Sequence, residues 1–387
     1  MYIIKSGVLY DISQKAEKEF QSPFAEEFYQ EDSQSWKGRS WKHQQPDNPA
    51  EAGQGGLVPR SMLWGGRGVA KPPSRPMFSA VFATPDRLYY VLEMSSSRGL
   101  FYYDFAKEQE TRLFHRTDFQ PHGLFIHIDH TIYTTRSNND GSIHLSQYDP
   151  YGKREQALTS GDCRDENPFR HGSSLYYQSS GLARNAEGVI MATGNSAIQR
   201  MDVEKDVIDT VLEDKKLDYL LPRVASDGAL YCIQAPHQTK PVYPVKNRVF
   251  DILLFPFRMA VAIFAFLNAF SMFFTKKPLT TAGGPNPREM DISRRILHNR
   301  AVNMQETWKK EGKKVAVSKD WKLIRYADGK TEEIASNVLW FDLDASGEPV
   351  YTDGYALYDS SGKRNFEADD LVDCVALTHS CTGATGS

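Results

Sequence analysis

The chain has 387 residues, of which 40% are hydrophobic and 25% charged, with a net charge of −3. That balance excludes wholesale disorder, and the length allows a large core without disulfides. The cysteines, Cys163, Cys232, Cys374 and Cys381, include no Cys-x-x-Cys pair and have no histidine at zinc spacing, so they read as isolated thiols.

The opening residues, MYIIKSGVLYDIS, have no basic region followed by a long apolar stretch, so no secretory signal is expected. Residues 21–76 are polar and rich in Gly, Pro and Trp, the composition of a long surface excursion. Within it, "WGGRG" (64–68) lacks the Gly-Lys-Ser/Thr ending of a phosphate loop and reads as a turn.

Two patterns then recur. The first is an apolar pair, a turn and an apolar–Tyr pair: "FATPDRLYY" (82–90), "FIHIDHTIY" (125–133), "FRHGSSLYY" (169–177), "RVASDGALY" (223–231) and "FDLDASGEPVY" (341–351). Turn residues flanked by period-2 alternation mark a β-hairpin. The second pattern follows each of these as "LFYYDFAKEQETRLF" (100–114), "LSQYDPYGKREQAL" (145–158), "IQRMDVEKDVIDTVL" (198–212), "LIRYADGKTEEI" (323–334) and "ALYDSSGKRN" (356–365). A sixth copy, "VLYDISQKAEKEF" (8–20), opens the chain. Each reads as a second hairpin.

Two hairpins make a four-stranded antiparallel sheet, and a period of 40–50 residues is that of propeller blades. The first unit lacks its inner strand, which "LVDCVALTH" (371–379) can supply from the other end of the chain. The expected fold is all-β: a propeller of six four-stranded blades closed by N- and C-terminal strands, carrying a helical hydrophobic insertion. In this the sequence resembles six-bladed propellers of the TolB and NHL type. Five or seven blades stay open because residues 161–219 are irregular, and a two-sheet sandwich is the alternative fold. The expected propeller covers residues 1–234 and 315–379, the insertion 235–314, and a flexible tail 380–387.

The insertion is basic. From Lys240 to Lys314 the chain carries +9, leaving −12 elsewhere. At its centre lies "VFDILLFPFRMAVAIFAFLNAFSMFF" (249–274). A single crossing would place halves of one blade on opposite sides of a bilayer, and two crossings need about 40 apolar residues. An in-plane or re-entrant helix after Pro256 remains. Ile252, Leu253, Leu254, Phe255, Phe257 and Ile263 would anchor it, together with Phe264, Phe266, Leu267, Phe270, Phe273 and Phe274. Lys246, Arg248, Arg258, Lys276, Lys277, Arg294 and Arg295 would meet anionic lipid, each contributing about 1 kcal/mol. Arg294, Arg295, Arg300, Lys309, Lys310, Lys313 and Lys314 are expected mostly on a helix capped by Asp291 or Ser293. The competing uses of the run are docking a partner protein and packing as a private core helix.

Propellers place functional groups at the ends of their innermost strands. These positions fall near His122, Asp165, Glu166, Asn167, Arg170, Arg223 and Asn337. The group "DENPFRH" (165–171) can be a channel-mouth site or a capped turn before Pro168. His115, His122, His127 and His130 are numerous, but their positions on different faces and turns argue against a metal centre. No nucleophile elbow and no dinucleotide fingerprint is present. No cofactor, no metal and no nucleic-acid partner is expected. The leading reading is a non-catalytic, monotopic membrane-associated scaffold, an accessory subunit of a membrane complex on the cytoplasmic face. The alternative is a membrane-docked propeller hydrolase or lyase acting on a lipophilic substrate.

Overall fold

The computed structural model describes residues 1–13, 16–38, 73–94, 97–205, 207–237, 294–298 and 300–379. The chain divides into two units, one of residues 1–237 and 307–387, the other of 238–306.

In the first unit, alternating apolar residues give short strands joined by tight turns. β1 (Tyr2–Lys5), β2 (Val8–Asp11) and β3 (Lys18–Glu19) form an antiparallel meander. Helix α1 (Pro23–Gly38) follows. β4 (Met77–Ala83), β5 (Arg87–Glu93), β6 (Arg98–Asp104) and β7 (Gln109–Arg116) make blade 2. β8 (Leu124–Ile126), β9 (Ile132–Ser137), β10 (Ile143–Tyr148) and β11 (Glu155–Ala157) make blade 3. β12 (Cys163–His171), β13 (Ser174–Arg184), β14 (Ile190–Asp202) and β15 (Val207–Leu212) make blade 4. One parallel bridge, Ile143 to Arg164, joins blades 3 and 4 into a continuous sheet.

Blade 5 is assembled across the insertion. β16 (Leu217–Val224) and β17 (Leu230–Pro236) precede it. The second unit holds a hairpin of β18 (Arg294–Leu297) and β19 (Arg300–Asn303), and helix α2 (Met304–Glu311) comes next. β20 (Lys322–Ala327) and β21 (Lys330–Ser336) then complete blade 5, with Gln234 opposite Lys322 and Leu230 opposite Tyr326. β22 (Trp340–Leu343), β23 (Pro349–Thr352), β24 (Ala356–Tyr358) and β25 (Arg364–Glu367) make blade 6.

The last strand, β26 (Val372–Ala376), pairs with β1 and completes blade 1, with Ile3 opposite Val375 and Ile4 opposite Cys374. The innermost strands pack in a closed cycle: β26 on β4, β4 on β8, β8 on β12, β12 on β16, β16 on β22, and β22 on β26. The first unit is therefore a six-bladed β-propeller closed by its two chain ends, as the repeat implied. The tyrosine that ends each first-hairpin motif, Tyr90, Tyr133, Tyr177, Tyr231 or Tyr351, is buried. Closure joins Lys5 to Glu17 and Asp369, each at 2.7 Å.

Two elements differ from expectation. The polar excursion begins as helix α1. Ser22 caps it by accepting the Ala25 N–H at 3.1 Å, and Pro23 occupies the first helical position, where its missing N–H costs nothing. Arg294, Arg295 and Arg300 lie on strands and not on a helix. Positive φ at His298 turns the chain there, and the flanking Ile296 and Val302 favour extended backbone. Lys309 and Lys310 do lie on a helix, α2, which ends at Glu311, so Lys313 and Lys314 fall beyond it, after Gly312 at φ 70°. Among the described residues no helix is long and apolar enough to cross a membrane. The anchor residues between 252 and 274, and Lys246, Arg248, Arg258, Lys276 and Lys277, lie outside the described residues. So do "WGGRG" and Cys381. The other three cysteines are free thiols.

Candidate functional site at the propeller axis

Each blade sends one position of its inner strand to the axis. Thr84, His127, Ala225 and Asp344 open the first-hairpin turns by donating their N–H across to Arg87, Thr131, Ala229 and Glu348. Phe82, Phe125, Arg223 and Asp342 each stand two residues before such a turn. Phe169 holds the same place before His171, the last paired residue of β12. The sixth contribution is His379, which follows β26 and donates its backbone N–H to Ala83 at 3.0 Å.

These six side chains meet. Phe82 stacks on the His379 ring at 4.8 Å and 9°, and lies edge-on to Phe125 at 5.2 Å. Phe125 packs on Phe169 at 5.0 Å, and the Arg223 guanidinium lies over the Phe169 ring at 5.3 Å. Arg223 Nε donates to Asp342 Oδ1 at 3.3 Å. Asp342 Oδ2 sits 3.0 Å from His379 Nε2 and accepts the Leu377 N–H at 2.9 Å. Burial opposes ionisation of Asp342, but the His379 ring, Arg223 and the Leu377 N–H outweigh it and hold the carboxyl below its ordinary range. A carboxylate with its lone pairs taken in this way holds the strands together and is poorly placed to accept a proton from a substrate.

Of the seven positions singled out from sequence, the structure brings only Arg223 into this axial cluster. Three others, His122, Glu166 and Asn167, form a second network between blades 3 and 4, and Asp165 lies beside it. Glu166 accepts Gln178 Nε2 at 2.9 Å and lies 3.5 Å from Arg164 and 3.6 Å from His122. Asn167 donates to Gln178 Oε1 at 3.1 Å, and its own N–H donates to His122 O at 2.8 Å. Burial, with Arg164 and Arg98 nearby, keeps His122 below its usual range against the pull of Glu166. Asp165 accepts Cys163 Sγ at 3.2 Å, and burial together with that carboxylate pushes the thiol up to about 12, far from a reactive thiolate.

The remaining two lie elsewhere. Arg170 turns to the Tyr133 hydroxyl and to Gly172 O. Asn337, in the left-handed region at φ 59°, donates to Val317 O and fixes the loop before blade 6. Among the described residues no group of three or more His, Cys, Asp or Glu side chains comes together to hold a metal. His127 pairs with Asp129 at 3.0 Å, whereas His130 meets Tyr89 at 2.9 Å, so these two histidines face different partners.

Sequence reading missed Asp342, His379 and the three phenylalanines as a group. The signal was present: transferring the position two residues before the turn from copy to copy selects Phe82, Phe125, Arg223 and Asp342.

No protein-family model matches the chain, and no curated protein matches it. Among solved structures it is similar to TolB from Acinetobacter baumannii, at 10% identity and a TM-score of 0.43, over 94% of this chain and 76% of that one. It is similar to a chain of a nidogen/laminin complex at 11% identity and a TM-score of 0.41, over 81% and 90%. Against a putative TolB from Agrobacterium tumefaciens the identity is 16% and the TM-score 0.29, over 37% of this chain, and the chain spans 50% of that protein's length. The chain's own strand order makes its first unit a β-propeller, and each of these is a likeness of fold at low identity.

Proposed function

We propose that this protein is a non-catalytic propeller scaffold held on a membrane face by the apolar run 249–274, serving as an accessory subunit of a membrane complex. One observation carries the reading. β17 and β20, the strands on either side of the insertion, are hydrogen-bonded neighbours in one blade, with Cys232 opposite Ile324 and Gln234 opposite Lys322. The chain therefore leaves and re-enters a single sheet. A single crossing by the run would separate strands that must pair, and lipid offers their backbone groups no partner. A run of 26 residues is too short for two crossings, which need about 40. A monotopic helix satisfies both limits, and the basic residues around it supply the second signal that stable attachment needs. The axial cluster agrees with a scaffold, since its charged groups are spent on one another.

The test is co-sedimentation with vesicles of phosphatidylcholine and phosphatidylserine. The full chain is expected to pellet with them. A variant with 249–274 replaced by a short Gly/Ser linker is expected to stay in solution while melting like the parent. Cysteines at Thr239→Cys and Thr281→Cys, in a background lacking the native thiols, are expected to label from the same side of a sealed vesicle. Labelling from opposite sides, or excision without release, would sink the reading.

A further inference from the structure

Each blade ends in an outer strand whose far edge has no strand beside it among the described residues. A free edge offers its N–H and C=O groups to any other strand, and proteins guard such edges with charge, shortness or a cover. In most blades the guard is plain. β3 holds only Lys18 and Glu19, β11 spans only Glu155–Ala157, and β25 is RNFE, with Arg364 paired to Glu367. β21 carries Lys330, Glu332 and Glu333. β7 carries Glu110, Arg112 and Arg116, and α1 is fastened to it through Glu110.

Blade 4 differs. β15 reads VIDTVL, six residues with one charge, and that charge is spent on its own sheet, Arg200 of β14 donating to Asp209 at 2.8 Å. Val207 is 50% exposed and Ile208 51%. Consecutive residues of a strand point to opposite faces, so apolar surface is open on both sides of the edge. β15 pairs with β14 in regular register from Val207 to Thr210, before a bulge at Val211. Along that stretch alternate residues turn both N–H and C=O outward, where an added strand would meet them.

The surrounding charge says what kind of strand fits. From Asp206 to Asp214 the sequence is DVIDTVLED, four acids and no basic residue. The first charged residue past each end of the strand is acidic. A second copy pairing antiparallel along the whole strand would lay the acidic flank at 206 of each chain beside that at 213–214 of the other, and like charges across a ladder are destabilising. A basic segment meets no such penalty, in either direction.

We propose that β15 is a docking edge for a partner protein, which adds an extended segment, apolar at alternate positions and flanked by lysine or arginine, as a fifth strand of blade 4. This deepens the scaffold reading above and rests on it, but it does not draw on membrane attachment. Backbone hydrogen bonds along Val207–Thr210 hold the segment, Val207 and Ile208 pack on its side chains, and the acids at both ends select its basic flanks.

The experiment is fluorescence anisotropy of the full chain with a labelled peptide, KKVTVTVKK. The peptide is expected to bind, and to bind roughly tenfold more weakly to Val207→Lys/Ile208→Lys, which sets like charge on the edge. An acidic peptide, EEVTVTVEE, is expected to bind roughly tenfold more weakly than the basic one to the native protein. So is the basic peptide N-methylated throughout its centre, which keeps the charge but cannot donate backbone hydrogen bonds and needs no protein variant. No binding, or equal binding of the N-methylated peptide, would overturn the proposal, as would equal binding to a double variant that melts like the parent. Native protein that sediments as a dimer, and a double variant that sediments as a monomer, would assign the edge to a second copy instead. Pelleting of the native protein with vesicles is read separately. Pelleting without peptide binding sinks this inference alone, and peptide binding without pelleting sinks the membrane reading alone.

Discussion

His379 Nε2 and Asp342 Oδ2 lie 3.0 Å apart, 37 residues from each other in sequence. Asp342 belongs to blade 6, and His379 follows the strand that completes blade 1. Their contact is therefore a side-chain bond between blades 6 and 1, with both partners on the C-terminal side of the seam where the ring closes. The backbone half of the seam is the β1–β26 ladder.

Removing the chain from Asp370 onward should open the ring. It deletes β26, the Leu377 N–H and the His379 ring, and leaves the carboxylate of Asp342 with Arg223 and the Leu343 N–H. The expected result is loss of a single cooperative melting transition, or a fall on the order of 10 °C for a loss of several kcal/mol. A truncated protein that melts like the parent would show that closure contributes nothing.

Acid should weaken the axis through Asp342. Its folded pKa is depressed, so the stability it contributes is fully present above the unfolded value of about 3.9 and is lost as pH falls through the folded value. Asp342→Asn leaves Arg223 buried without its charge partner and should cost about 3–5 kcal/mol at pH 7. The gap between the variant and the parent, measured by urea unfolding, should narrow below about pH 4. A gap equal at pH 7 and pH 3 would rule out the carboxylate as its source.

Gly123 is where the inner strands of blades 3 and 4 approach most demandingly. Its φ is +127°, and a Cβ there would lie 2.6 Å from Asn167 Cα, a backbone atom that cannot swing away. Gly123→Ala is expected to cost about 2 kcal/mol or more. Gly181→Ala, with nothing within 4 Å of the added carbon, serves as the control and should stay within about 0.5 kcal/mol. Denaturant midpoints of the two variants check the difference.

Glu110 on β7 fastens α1 to blade 2. It accepts the Phe24 N–H at 2.9 Å and the hydroxyls of Ser22 and Tyr90. Burial and this carboxylate push the Tyr90 phenol well above its ordinary range. Glu110→Ala strips three donors of their acceptor and should cost about 2–3 kcal/mol. Limited proteolysis should then cut sooner within residues 23–38. Cleavage at the parental rate would show that Phe24, which packs on Phe101 at 4.8 Å, holds the helix without Glu110.

The hairpins were legible because their causes are local. Period-2 alternation and turn chemistry act over about ten residues, so "FIHIDHTIY" and "LSQYDPYGKREQAL" declare their strands without help from the rest of the chain. The need to pair 371–379 with the N-terminus was legible as well, because the first unit had three strands where the others had four. Helix α1 left a signal in Ser22-Pro23, but the surrounding polar composition masked it. The basic stretch at 294–303 has charges that suit either a helix face or a strand, and a turn at His298 decided for strands.

What the sequence by itself determined is the blade: its strands, its turns and the period at which it recurs. What only the tertiary structure decided is which residues meet at the axis. Arg223 and Asp342 are 119 residues apart and touch only because six blades share one centre. Asp165, Glu166 and Asn167, the three polar residues before Pro168, look like one cluster with Arg170 when read along the chain. Inner-strand pleating and the shift in register between Glu166 and Phe169 send them instead to the gap between two blades. Local patterning specifies the elements, whereas the partners of a charged side chain depend on packing between strands far apart in the chain.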